Sequence, residues 1–378
     1  MANGNGEEPE VPAFEDDPGE QSYQPGDVPL DREVITTPYD APVRTLLEEI
    51  KEKTLIVNPP FQRQSIWDKG RQSRLVESLL LNIPIPVLYF AEDEDGTRVV
   101  VDGQQRLRAI EEFHSGQYQL QKLEVLALLN GKRWADLTPK QGRTILSRTL
   151  RCVVISANSP STLRFEMFER LNTGGMALND QELRNCVFRG DLNDLLNEIV
   201  HSVAWLEFIR RAEPDDRMRH HELILRFYAL ERALDNYRPP LKSVLNEYMK
   251  AHRKLTADER ANHRAGFERA FANVQAVFGA RSFRRHKPGD AWDRNLNRAV
   301  FDIQMLSLVG REPQEVAERA GAILNRFKDL CLHNAGFADA LSRATADRSR
   351  LYLRLRIWGR ALEDEGIAPA YLNRLPNA

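Results

Sequence analysis

The sequence predicts an α+β protein: a mixed α/β domain over residues 34–175, an all-helical domain over 176–378, and an acidic arm over 1–33. Three observations carry this. Up to about residue 175, short β-branched runs alternate with apolar residues at helical spacing, the order expected of a sheet covered by helices. Beyond that point only the helical period recurs. Residues 1–33 hold ten Asp and Glu against one Arg, with Gly, Pro and Gln where aliphatic side chains would be needed. Such a stretch buries too little apolar surface to offset its ordering entropy and reads as disordered.

The elements follow in order. Val43, Leu46, Leu47 and Ile50 give a short amphipathic helix. Leu55-Ile56-Val57 reads as a strand stopped by Asn58-Pro59-Pro60. Leu75, Val76, Leu79 and Leu80 share one face of a helix that Pro84 and Pro86 break. Residues 87–90 and 98–101 read as strands around an acidic turn, and the second runs directly into a helix from Gly103 to about His114. Residues 151–157 form a further strand. The second half reads as helices near 180–189, 191–211, 219–235, 241–253, 257–278, 291–308, 313–332 and 345–363, with no convincing strand.

A chain of 378 residues suggests about two domains. Its 42% hydrophobic and 29% charged residues are those of a folded soluble protein. The net charge of -2 hides an asymmetry, because outside the arm 52 bases face 45 acids. The arm is thus either a solubilising tail or a competitor of nucleic acid for a basic surface. Cys152, Cys186 and Cys331 lie far apart with no C-x-x-C pair, which argues against a disulfide framework or zinc knuckle and fits a reducing cytosol. No apolar run approaches the ~20 residues of a membrane span. The acidic start lacks the features of a secretory signal, so a cytoplasmic protein is expected.

The strongest chemical signal is Asp102-Gly103-Gln104-Gln105-Arg106, where strand turns into helix. Asp102 is expected to be the N-cap, with Gln105 three residues on completing a capping box. Gly103 lets a ligand approach the backbone. Free N–H groups and the positive end of the helix dipole favour an anion, and Arg106 is placed to add a bidentate phosphate contact. An ordinary capped helix with a solvent-facing Arg fits the same pattern. A second segment, Phe61-Gln62-Arg63 ahead of Trp67, is stiffened by Pro59-Pro60. Phe61 and Trp67 suit a core, and the loop alone leaves the direction of Arg63 open. In a third, Asn172-Thr173-Gly174-Gly175 forms a turn with available N–H groups, and Asn179 with Glu182 forms a second capping box.

In this order, and with Pro84-Ile85-Pro86 between them, these segments resemble the domain-of-unknown-function 262 family, the N-terminal domain of GmrSD-type restriction proteins. The resemblance covers roughly residues 40–190. It implies a ParB/sulfiredoxin-like fold, nucleoside triphosphate hydrolysis with Mg²⁺, and a part in defence against phage or modified DNA. Carried across, Asp102, Gln104, Gln105 and Arg106 become catalytic candidates, with Asp102 also a candidate Mg²⁺ ligand. Phe61, Gln62, Arg63, Gly103, Arg106, Asn172, Thr173 and Gly174 become candidate nucleotide contacts. Two rival readings are a regulatory or DNA-binding module that senses nucleotide without turnover, and a DNase that uses the ParB-like domain itself, its metal held by Asp102 and another carboxylate. A separately encoded nuclease or methyltransferase is an expected partner.

One departure matters: many relatives continue into an HNH-type nuclease, whereas His333-Asn334 falls in a helical stretch and no later His completes such a site. His220-His221-Glu222 reads as an exposed helix start, since adjacent helical residues point about 100° apart. Basic clusters in the second half make Arg284, Arg285, Lys287, Arg350 and Arg354 candidate contacts to duplex DNA.

Overall fold

The computed structural model describes residues 33–57, 67–171, 178–215, 217–342 and 346–376. Outside them lie residues 1–32 of the acidic arm, Phe61-Gln62-Arg63 and Asn172-Thr173-Gly174. The described residues form two compact units that divide between Val187 and Phe188. The expected boundary at 175 falls short because the next helix packs back onto the one before it.

The first unit runs β1 (Thr36–Pro38), β2 (Ala41–Pro42), α1 (Val43–Lys51), β3 (Leu55–Ile56), α2 (Lys69–Leu81), β4 (Leu88–Glu92) and β5 (Arg98–Asp102). It continues with α3 (Gln104–His114), α4 (Pro139–Ser147), β6 (Thr149–Leu150), β7 (Cys152–Ile155), α5 (Ser161–Leu171) and α6 (Asp180–Val187). Five strands make one mixed sheet in the order β1-β7-β4-β5-β3, and β2 pairs with β6 apart from it. Central β4 is parallel to β7 and antiparallel to β5. The β4–β5 register slips between Tyr89 and Phe90, just where Tyr89 pairs with Asp102. Such an irregularity bends and twists the strand locally.

The apolar periodicities become the core. Leu88, Phe90 and Val100 of the sheet are buried with Leu46 of α1, Leu79 of α2 and Phe113 of α3. Each large side chain so buried contributes about 1.5–3 kcal/mol. Local signals set the helix ends. Asp68 accepts the Arg71 N–H at 2.9 Å to start α2, and Asn82 ends it in the left-handed conformation at φ 61°. Thr138 and Gln141 form a reciprocal box at the start of α4, followed by Pro139 at the first helical position.

The second unit holds α7 (Asp191–Val200), α8 (Val203–Ile209), α9 (Arg219–Ala233), α10 (Leu241–Ala251) and α11 (Ala257–Phe278). It then has β8 (His286–Lys287), β9 (Ala291–Trp292), α12 (Arg298–Leu308), α13 (Pro313–His333), α14 (Ala335–Ala340) and α15 (Arg348–Asp364). The expectation of no strand here is corrected by the small β8–β9 hairpin, which Pro288-Gly289-Asp290 turns with Gly289 at φ 76°. The helix expected from 291 therefore starts only at Arg298, where Asn297 accepts the Val300 N–H at 2.9 Å. The stretch 191–211 is two helices, broken where Ser202 caps α8. His220-His221 is also corrected. Both rings are buried, and His220 packs edge-on to Trp205 at 5.8 Å between centroids.

At the heart of this unit, Arg226 of α9 and Arg354 of α15 converge on Asp302 of α12. Arg226 donates to both carboxylate oxygens, at 3.2 and 2.7 Å, and Arg354 to one at 2.9 Å. None of the three side chains is more than 1% exposed. Charges this far from water persist only when paired and hydrogen-bonded.

All three cysteines are free thiols. Burial pushes Cys152 in β7 up to about 12 and Cys331 in α13 up to about 11. Among the described residues, no helix is long and apolar enough to cross a membrane.

Candidate functional site

β5 ends at Asp102, Gly103 turns the chain at φ 99°, and α3 starts at Gln104. Two constraints demand glycine here. The backbone is left-handed, and a Cβ would stand 2.2 Å from the Leu88 side chain. The expected capping role of Asp102 is corrected. Gly103 occupies the cap position, no side chain caps the helix, and Asp102 is still in the strand opposite Tyr89. Its carboxylate, 33% exposed, instead accepts from Arg106 Nη2 at 2.8 Å, one helical turn on. Gln105 likewise makes no box. Its side-chain oxygen accepts the Trp67 N–H at 3.4 Å, while Gln104 donates to the Val100 carbonyl at 2.9 Å.

Arg106 is largely buried. Besides Asp102 it donates to the Pro86 carbonyl, and to that of Val87 at 3.4 Å. Burial lowers its pKa, and the Asp102 carboxylate opposes that shift. The guanidinium therefore fastens the chain entering β4 to the first turn of α3. Sequence reasoning misses this clamp, although Pro86 is visible as the end of the proline-broken stretch. Farther along α3, Glu112 accepts from Lys69 at 2.9 Å and from Gln72 at 3.0 Å, tying α3 to α2. Trp67, the last residue of the second segment, lies beneath the Arg71 guanidinium at 4.4 Å.

Of the third segment, the capping box forms as expected. Glu182 N–H donates to the Asn179 side chain at 2.9 Å, and Asn179 N–H to the Glu182 carboxylate at 2.6 Å. Unforeseen is the burial of polar Gln181, Glu182, Arg184 and Asn185, each at most 3% exposed. Arg184 donates to Gln181 at 3.0 Å. The only signal in the sequence is the density of polar residues on so short a helix.

Residues 43–189 match the family model of the GmrSD restriction endonuclease, N-terminal domain. This segment is a GmrSD-type N-terminal domain. The match opens on the first residue of α1 and closes just past α6, so that the GmrSD-type domain corresponds to most of the first unit, with the residue 102–106 turn inside it. It associates the chain with restriction systems. No curated protein matches the chain.

Among the described residues, no group of three or more His, Cys, Asp or Glu converges to hold a metal ion. The basic candidates of the second unit sit in local pairs. Arg285 donates to Asp293 at 2.6 Å, Lys287 pairs with the other oxygen of that carboxylate, and Arg284 donates to the Asp293 carbonyl at 3.0 Å. Arg350 pairs with Asp339. The assignment of Arg354 to a nucleic-acid surface is corrected, since it is fully buried on Asp302. Its helical period places it on the inward face of α15, beside Leu351 and Leu355.

Proposed function

We propose that the GmrSD-type domain binds a nucleoside triphosphate with Mg²⁺ at the turn of residues 102–106 and hydrolyses it, as the nucleotide-driven step of a phage-defence or DNA-restriction system. One observation carries this reading: β5 passes into α3 through a left-handed glycine, with no side chain capping the helix and a partly exposed carboxylate beside it. The first turn of a helix leaves N–H groups without intrahelical partners, and its dipole favours phosphate. Asp102 supplies one carboxylate. That suffices for Mg²⁺, which is usually held by one or two carboxylates together with substrate phosphates. Gln104 or Gln105 would orient the attacking water, and Phe61, Gln62, Arg63, Asn172, Thr173 and Gly174 would add contacts to the nucleotide. Duplex DNA and a separately encoded nuclease or methyltransferase are the proposed partners.

A second reading, nucleotide sensing without turnover, is favoured by the engagement of Arg106, Gln104 and Gln105 with protein groups. One experiment orders the readings. Melting of the purified chain is followed with each nucleoside triphosphate and Mg²⁺, alongside phosphate release. Ligand at about 100 times its Kd stabilises a native state by about 2.7 kcal/mol. Stabilisation with phosphate release supports hydrolysis, and stabilisation alone supports sensing. No shift at millimolar nucleotide ends both, and Mg²⁺-dependent plasmid nicking would then favour a DNase.

A further inference from the structure

A cleft of about 710 Å³ opens between α8 and α11 in the second unit. Its floor is aromatic: Phe208, Phe267 and Phe271 lie within 5.3–6.0 Å of one another or of Trp205 beneath them. Small residues, Ala204, Ala272 and Ala276, leave it open, and Val203 beside it is 72% exposed. At the C-terminal end of α8 the lining becomes cationic. Arg210 lines the cleft in the left-handed conformation at φ 53°, and Arg211 follows it, also exposed. Arg284 lies close enough to Arg210 for the two charges to repel, and its Nε is buried without a hydrogen-bond partner. Among the described residues neither Arg210 nor Arg211 has an ion-pair partner. The carboxylates of the lining are Glu207 and Glu268, the latter facing Arg264 at 3.7 Å.

An occupant must therefore offer an apolar, aromatic end and an acidic end. The chain itself contains such a segment. Within the acidic arm, Val11-Pro12-Ala13-Phe14 is an apolar run closed by its one phenylalanine, and Glu15-Asp16-Asp17 follows at once. The 16 residue-to-residue steps from Asp17 to Glu33 reach roughly 55 Å when extended.

We propose that residues 11–17 of the acidic arm dock in the α8–α11 cleft, with Phe14 on the aromatic floor and the three acids at Arg210 and Arg211. The repulsion between Arg210 and Arg284 is relieved by acids arriving there, which fixes the direction of the segment. This is independent of nucleotide binding at the first unit. The arm then covers the unpaired cations of the second unit until a stronger polyanion displaces it.

Photo-crosslinking in the full chain tests this, with benzoylphenylalanine in place of Phe14. Adducts within one chain are expected on α8 or on the cleft face of α11. Their yield should fall about fivefold in the exposed double variant Arg210→Glu/Arg211→Glu, the scale of one good exposed ion pair, and should fall as salt is raised. Filling the cleft with Ala272→Trp should remove them. Circular dichroism identifies any variant that misfolds, and the salt series on the unmodified cleft then decides alone. Adducts elsewhere, adducts indifferent to charge reversal and salt, or adducts joining two chains overturn the proposal.

Discussion

In the first unit Arg106 and Asp102 meet one helical turn apart beside the sheet. In the second, Arg226 and Arg354 close from two helices on Asp302. The chemistry is the same, guanidinium on carboxylate at 2.7–2.9 Å. What differs is water: Asp302 is fully buried and Asp102 is 33% exposed. Asp302 is entirely committed to two cations, so it acts as architecture. Asp102 is held by one cation on one side and meets solvent on the other, which leaves it available to a ligand. An arginine–aspartate pair is thus neither structural nor functional by its residue types, and the depth of its carboxylate decides.

The sharpest way to break this contrast is Asp302→Ala. It strands two buried guanidinium groups and should cost about 3–5 kcal/mol, read as a lower urea midpoint for the second unit. If Asp102→Ala costs as much, depth is not the deciding variable. Acid should separate the units next. Burial depresses His220 to about 4 and His221 to about 3, against about 6.5 in the unfolded chain. The unfolded chain therefore takes up protons that the native unit refuses. The contribution is complete above about pH 6.5, declines as pH falls towards about 4, and for His221 continues to about 3. The slope is up to about 1.4 kcal/mol per pH unit for each imidazole. Trp205 fluorescence beside His220 should report the loss, and His221→Gln should flatten it.

Gly103→Ala tests the turn itself. The left-handed backbone and the clash with Leu88 together should cost roughly 1–3 kcal/mol, and the nucleotide-induced melting shift should vanish. The smallest structural effect belongs to Asp102→Asn. Stability should change by no more than about 1 kcal/mol, because the amide oxygen still accepts from the largely buried Arg106, while Mg²⁺-nucleotide stabilisation is lost. A variant that melts earlier yet keeps its nucleotide response would make Asp102 merely the anchor of Arg106.

Much of this architecture is legible in the amino-acid sequence. The strand–turn–helix around Gly103 follows from a β-branched run meeting a helical period, and the span 257–278 coincides with α11. The Asn179–Glu182 box follows from two residues three apart. Elements decided by pairing are not legible in this way. β1, β2 and β6 are two or three residues long, with no period to detect, and exist because a partner strand lies beside them. α4 escapes notice despite its Thr138–Gln141 signal, because its nine residues show a single buried apolar position. At the site, the turn is legible and its wiring is not. Arg106 reaches carbonyls twenty residues back in the chain, and the fate of Arg354 is set by Asp302, 52 residues away.

The thiols carry a practical corollary. Cys152 lies in β7, hydrogen-bonded beside β4, whose start Arg106 clamps, and Cys331 lies in α13 of the other unit. Both thiols are protonated at neutral pH, but only Cys152 is buried and reacts with an alkylating reagent chiefly when its surroundings part, whereas Cys331 is half-buried. Cys152 is therefore a stopwatch for the first unit, with Cys331 as a reference in the second. A nucleotide that tightens the turn should slow alkylation of Cys152 and leave the rate at Cys331 unchanged.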